Sequence, residues 1–157
     1  MQASFIGLGQ SEPPLTLSDS QEILEAAIQR YLDAGLPLEL ASELENATIS
    51  IVDLPNSYLG YFSDGRLILD IDGAGHGWFV DPTPLDDEEF DEDGIALPQS
   101  SNSDEIDLLS VVLHELAHSF GAGHSDDPSS LLYELIDVGQ RKTVSHEIVD
   151  QIIAGHQ

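Results

Sequence analysis

In its second half the chain reads His114-Glu115-Leu116-Ala117-His118-Ser119-Phe120-Gly121-Ala122-Gly123-His124. Apolar residues lead into this stretch. Ile106, Leu109, Leu113, Leu116 and Phe120 recur at helical spacing, and Leu108, Val111 and Val112 widen the apolar surface almost all the way round. The pattern predicts a buried, central helix over roughly 104–120, capped by Asn102 or Ser103, with Asp104, Glu105 and Asp107 near its positive end. Residues four apart on a helix return to the same side, displaced by about 40°. His114 and His118 can therefore point two imidazoles at one ion. Gly121 is placed to end the helix in the left-handed conformation that glycine adopts without steric penalty. The chain can then turn and present His124 to the same ion. Three neutral imidazoles leave one position of a tetrahedral ion open for water, which is the arrangement of a catalytic zinc rather than a structural one. Glu115, next to the first imidazole, can reach that water. A lone histidine is usually a core or surface residue, and a bare HExxH occurs in unrelated proteins. Here half of the six histidines fall in one window, on the right face of the right helix.

Outward from the motif, 157 residues suit one domain, and 41% hydrophobic residues suffice for a real core. Thirty Asp+Glu face four Lys+Arg (Arg30, Arg66, Arg141 and Lys142), a formal charge of −26. A surface that negative repels phosphates, which excludes a nucleic-acid partner. It also opposes anionic lipid. No apolar stretch approaches the length of a membrane span, so no membrane insertion is expected. The N-terminus lacks the basic start of a signal peptide, so any export signal was removed or lies in a parent chain. Cysteine is absent, which excludes disulfides, a thiolate metal site and a thiol nucleophile.

Residues 1–16, ending in Pro13-Pro14, read as a leader strand or linker, and 17–157 as the domain proper. A helix is expected from Ser18, with Gln21 completing a capping box and Gly35 and Pro37 ending the run. A shorter helical piece is expected over 39–44. Strands are expected at 47–54, 58–62 and 66–71, the last two joined by an Asp64-Gly65 turn. Gly73–Pro84 is a loop around Trp78-Phe79-Val80, read as core or cleft wall. Residues 86–93 are acidic at every position but Phe90 and read first as a solvated loop. Ser145 caps a last helix with Ile148, Val149 and Ile152 inward. Helix, strands, loop, helix, loop and helix in that order predict an α+β fold.

Through HELAHSFGAGH and the residues after it, the chain resembles the metzincin metalloproteases. His124-Ser125-Asp126-Asp127-Pro128-Ser129-Ser130-Leu131-Leu132-Tyr133 is similar to the matrixin subgroup, whose members typically read HSxDPxALMY. The tail from Arg141 to Ile148 resembles the segment introducing the matrixin C-terminal helix. Gly75–Phe90 resembles matrixin-like domains of large bacterial surface proteins. The resemblance covers roughly 15–153. It implies a twisted mixed sheet packed on helices, with a zinc endopeptidase cleft above the motif helix. In that picture His114, His118 and His124 hold zinc and Glu115 is the general base. An extended protein or peptide substrate pairs with the sheet edge, and Leu132–Ile136 forms part of the pocket wall. A monomer, secreted or at the cell surface, is the matching expectation.

The chain departs from the family at several points. The Met-turn methionine would fall at Leu132, an apolar residue of similar volume. Only His76 lies where a second, structural zinc would be bound, with Pro84 at a ligand position, so that zinc is not expected. Asp81, Asp86, Asp87 and Glu88 offer hard oxygens, so calcium is the cofactor weighed for this loop. Two rival functions stay open: a zinc-binding pseudoprotease, supported by Leu132, and a calcium-binding structural or adhesive module, supported by 86–93. His146 and His156 are read as surface residues and Tyr133 as core packing.

Overall fold

A hydroxyl starts the first helix, as expected, but from Thr16 rather than Ser18. In the computed structural model of the protein, which describes residues 1–9 and 13–156, the Asp19 N–H donates to Thr16 Oγ1 at 3.1 Å. Helix α1 covers Leu17–Asp33 and buries Ile23, Leu24, Ala27 and Tyr31. Burying each Ile or Leu side chain is worth about 1.5–3 kcal/mol.

The first residues of the leader form a strand, one of the two readings the sequence left open. Strand β1 (Gln2–Ala3) is built into the fold, with Met1 and Ala3 in the core, and Leu15 is tied in by its N–H to the Ile71 carbonyl at 3.0 Å. Residues 10–12 of that leader, and Gln157 at the far end of the 17–157 stretch, lie outside the described residues.

The short helix α2 (Leu38–Ser42) precedes a three-stranded mixed sheet of β2 (Thr48–Val52), β3 (Gly60–Ser63) and β4 (Arg66–Asp70), in the order β2-β4-β3. β2 runs parallel to β4, and β3 pairs antiparallel with it from the edge. The turn joining β3 to β4 places Asp64 at φ 51° and Gly65 at φ 73°, the doubled positive φ that a tight hairpin matching strand twist requires.

The motif helix begins later than the cap signals suggest. Strand β5 (Trp78–Phe79) pairs parallel with β6 (Ile106–Asp107), which draws 106–107 out of the helix. Helix α3 is Leu108–Ser119, capped by Asp107, whose Oδ2 accepts the Ser110 N–H (3.2 Å) and Oγ–H (2.6 Å). Asp104 and Glu105 thus lie outside the helix. A long-range strand pair has overridden a local cap. Residues 108–117 of α3 are all buried, so the helix runs through the core. It packs on α1 and β3, and the Tyr31 hydroxyl donates to the Leu113 carbonyl at 2.6 Å. Strand β7 (Leu135–Ile136) pairs parallel with β1, and α4 (His146–Gly155) starts from Ser145 as expected. Among the described residues no helix is long and apolar enough to cross a membrane. The result is an α+β domain: a mixed sheet on one side of a buried helix, with further helices around it.

Candidate metal and catalytic site

Helix α3 ends where Gly121, at φ 86°, reverses the chain. A Cβ there would meet nothing within 4 Å, so the glycine is required by its backbone conformation and not by crowding. The Gly121 N–H donates to the His118 carbonyl (2.9 Å) and the Ala122 N–H to the Ala117 carbonyl (3.1 Å), closing the last turn. The reversal brings the His124 ring to 5.4 Å from that of His114 and 4.8 Å from that of His118. One ring nitrogen from each of the three lies within 4.8 Å of the others. His114 is buried, His118 half-buried and His124 exposed, so the cluster opens to solvent on the His124 side.

Hydrogen bonds orient the first two rings. Nδ1 of His114 meets the Leu131 carbonyl at 2.7 Å, and Nδ1 of His118 meets the Ala122 carbonyl at 2.8 Å. A carbonyl oxygen only accepts, so both Nδ1 atoms carry the proton, which leaves an Nε2 lone pair on each neutral ring. These two Nε2 atoms face each other at 2.9 Å. Two lone pairs at that range repel, and a shared cation turns the repulsion into attraction. Burial pushes the His114 imidazole down to about 3, so a proton on that ring is disfavoured at neutral pH. The donor set therefore fits a borderline-soft metal ion that prefers imidazole nitrogen.

Glu115 lies on the neighbouring face of α3 and is 1% exposed. Burial pushes its carboxyl above the usual carboxylate range, while the amino group of Met1, which donates to Oε1, pulls the other way. Glu115, His118 and His124 share a cavity of about 260 Å³ with Tyr58, Tyr61 and Met1. Leu131 and Leu132 are buried, and the Leu132 carbonyl accepts the Ser125 N–H at 2.9 Å. Leu132 is the residue at the position where the motif expects methionine, and its side chain is buried. Leu132→Met should be tolerated, since volume-conserving apolar swaps cost under about 1.5 kcal/mol. A shift of more than a few degrees in a thermal melt would show that the site is tighter than its apolar lining suggests.

Other expected residues fall elsewhere. His76 is buried, with Nε2 2.7 Å from the Phe5 carbonyl and the Phe5 ring edge-on to it at 4.7 Å. It joins neither of the two groups of His, Asp and Glu that, among the described residues, are close enough to share an ion. Tyr133 is half-buried, not core, and lies 4.8 Å under the Lys142 ammonium. His146 and His156 are on the surface, as expected.

The calcium reading of the acidic loop finds no support. Arg141 takes Asp81 at 2.8 Å, Asp107 at 2.8 Å and Asp87 at 3.1 Å, and Arg30 takes Asp87 at 2.8 Å. Guanidinium groups therefore hold two of the four carboxylates weighed for calcium. What remains close together, Asp86, Glu88 and Glu89, lies largely in solvent. The sequence reading placed Asp107 near the start of the motif helix but did not foresee its pairing with Arg141. A signal existed for Arg141, because four cations among thirty acids must each be shared.

The chain matches the family model of the matrixins over residues 11–154. It is similar to matrix metalloproteinase-16 of Rattus norvegicus, 34% identical over 93 residues, covering 58% of this chain and 15% of the relative. It is also similar to matrix metalloproteinase-21 of Cynops pyrrhogaster, 30% identical over 135 residues, covering 82% and 20%. Macrophage metalloelastase of Rattus norvegicus is 34% identical over 76 residues, 46% of this chain and 16% of the relative. In each case the matched stretch spans a fifth of the relative's length or less.

Proposed function

The chain belongs to the matrixin family of metallopeptidases, and from that premise we propose that it is a zinc-dependent endopeptidase acting on extended protein or peptide chains. The observation that carries the reading is the pair of Nε2 atoms of His114 and His118 facing each other at 2.9 Å, with His124 beside them. In this reading His114, His118 and His124 hold the zinc. Once bound, that ion would supply Lewis-acid polarisation of a carbonyl and acidify a water.

The rest is done by the chain's own residues. Glu115, buried beside the triad, takes a proton from the attacking water and gives it to the departing amine. The Leu131 and Ala122 carbonyls fix the tautomer and tilt of two imidazoles, so that neither ring has to reorganise. Leu131 and Leu132 close the floor against water. Leu132–Ile136 forms one wall of the cleft. An extended chain pairs with the edge strand of the sheet, β3, by strand addition. We assign the protein to the cell surface or the secreted fraction, a reading that rests on the family and fits a charge of −26.

Zinc binding without cleavage, the pseudoprotease alternative, is disfavoured by the intact and buried Glu115. The test is cleavage of casein by the zinc-loaded chain, its loss with a strong chelator, and its return with added zinc. Zinc-loaded protein that cleaves nothing across a broad peptide library would overturn the enzyme reading. Cleavage indifferent to the chelator would overturn the metal.

A further inference from the structure

Lysine is a residue type almost never fully buried unless it is paired, yet Lys142 is 4% exposed. Burial pulls the pKa of its ammonium down, and the carboxylates of Asp137 and Asp127 act in the other direction. A leucine or methionine would fill the same space without that cost. No step of the proposed reaction uses this cation, but its contacts give it a task. Its Nζ donates to the Leu135 carbonyl at 3.0 Å and lies 4.8 Å from the centre of the Tyr133 ring. Its backbone N–H donates to Ser110 Oγ at 2.8 Å.

The Leu135 carbonyl needs such a donor. Successive carbonyls of a strand point to opposite sides, toward one neighbour and then the other. Strand β7 pairs with β1, and the carbonyls of Glu134 and Ile136 face that side, where they accept backbone N–H groups at 2.8 and 3.0 Å. The Leu135 carbonyl between them faces away, and on that side β7 has no strand among the described residues. A carbonyl left without a partner out of water is costly. The Lys142 ammonium stands in for the N–H of the missing strand.

The other end of the same segment is held as well, since the Leu131 carbonyl meets His114 Nδ1 at 2.7 Å. Ser110, which accepts the Lys142 N–H, lies four residues before His114 on α3, and its hydroxyl donates to Asp107 Oδ2 at 2.6 Å. Residues 131–135 are thus tied to α3 at two points, once through a proposed zinc ligand and once through Lys142. We infer that Lys142 is a positioning residue, which sets the spacing between the cleft wall at Leu132–Ile136 and the helix that carries His114 and His118. The wall's task rests on the endopeptidase reading above; the anchoring contacts do not. Lys142 touches no reacting atom. It acts on how an extended chain fits between wall and helix, contacts that are made alike in the ground and transition states, so its loss falls on KM and spares kcat.

The test exploits the absence of cysteine from the sequence. Lys142→Cys gives the chain a single thiol. 2-Bromoethylamine is applied to the unfolded protein before refolding with zinc. The thiolate displaces bromide and forms a C–S bond, which returns an ammonium at nearly the reach of lysine. Lys142→Met, which keeps the apolar stem, is the second variant should the first not fold. Each zinc-loaded protein is assayed on one synthetic peptide and followed by amide hydrogen exchange. Both variants should raise KM about tenfold or more, the scale of a lost hydrogen bond to a charged group, with kcat within about threefold of the unaltered value. Aminoethylation should restore KM. The stretch 132–136 should exchange about tenfold or more faster in the variants, while 111–117 keeps its rates. A folded, zinc-loaded variant with unaltered KM would overturn the inference and leave the peptidase reading intact. So would a defect that aminoethylation does not reverse, because it would assign the effect to packing of the stem. A chain that cleaves nothing in any form would sink the peptidase reading instead, and exchange at 132–136 would still decide for or against the anchor.

Discussion

Glu115→Gln is expected to lower peptide cleavage by at least about 100-fold while leaving zinc content unchanged. General-base assistance is typically worth about 10²–10⁴-fold. Gln keeps the shape of the side chain and much of its hydrogen bonding, but a neutral amide cannot take the proton of an attacking water. The imidazoles of His114 and His118 should stay in place, because the Leu131 and Ala122 carbonyls orient them and the substitution leaves those groups unchanged. The substitution also removes the carboxylate that the Met1 amino group meets. Turnover of casein by both proteins, with metal analysis of each, decides the matter. Equal turnover would show that another group moves the proton.

Arg141→Leu is expected to cost about 3–5 kcal/mol of stability, the range for removing one partner of a buried ion pair. Arg141 is 4% exposed and pairs with the buried carboxylates of Asp81 and Asp107, while its guanidinium lies 4.4 Å over the Phe90 ring. Without it two carboxylates are left in the interior with no cation. One of them, Asp107, caps the helix that carries His114, so the damage reaches the site. A thermal melt should fall by on the order of 10 °C for a chain of this size. Arg30→Met is the control, since Arg30 meets the half-exposed Asp87, and pairs in solvent contribute about 0–1 kcal/mol. Equal shifts for the two variants would show that Arg141 is not the cross-link its burial implies.

What the sequence made legible was whatever local spacing encodes. The buried helix, the turn at Gly121, the convergence of His124 with His114 and His118, the Asp64-Gly65 hairpin and the Ser145 cap all follow from periodicity and from backbone preference at single positions. The start of α3 did not, because Asn102 and Ser103 look like caps until Ile106–Asp107 is claimed by Trp78–Phe79, a partner some thirty residues away. The cation partners of the acidic loop were hidden from the sequence reading for the same reason. Asp81 and Asp87 offer oxygens to calcium only as long as Arg141, distant in sequence, is out of view. Residues 1–4 carry no periodic signal at all, since their two-sided pairing depends on strand edges formed near Tyr58 and Leu135.

The zinc assigned to His114, His118 and His124 is tested most directly by elemental analysis of the purified chain beside His118→Ala. Losing an outer partner of a metal ligand already weakens binding by about 10–100-fold, so losing a ligand outright should cost more than about 100-fold. The expected result is one zinc per unaltered chain and little or none in the variant at the same free zinc. Full zinc occupancy in His118→Ala, or an unaltered chain that stays zinc-free when zinc is supplied, would contradict it.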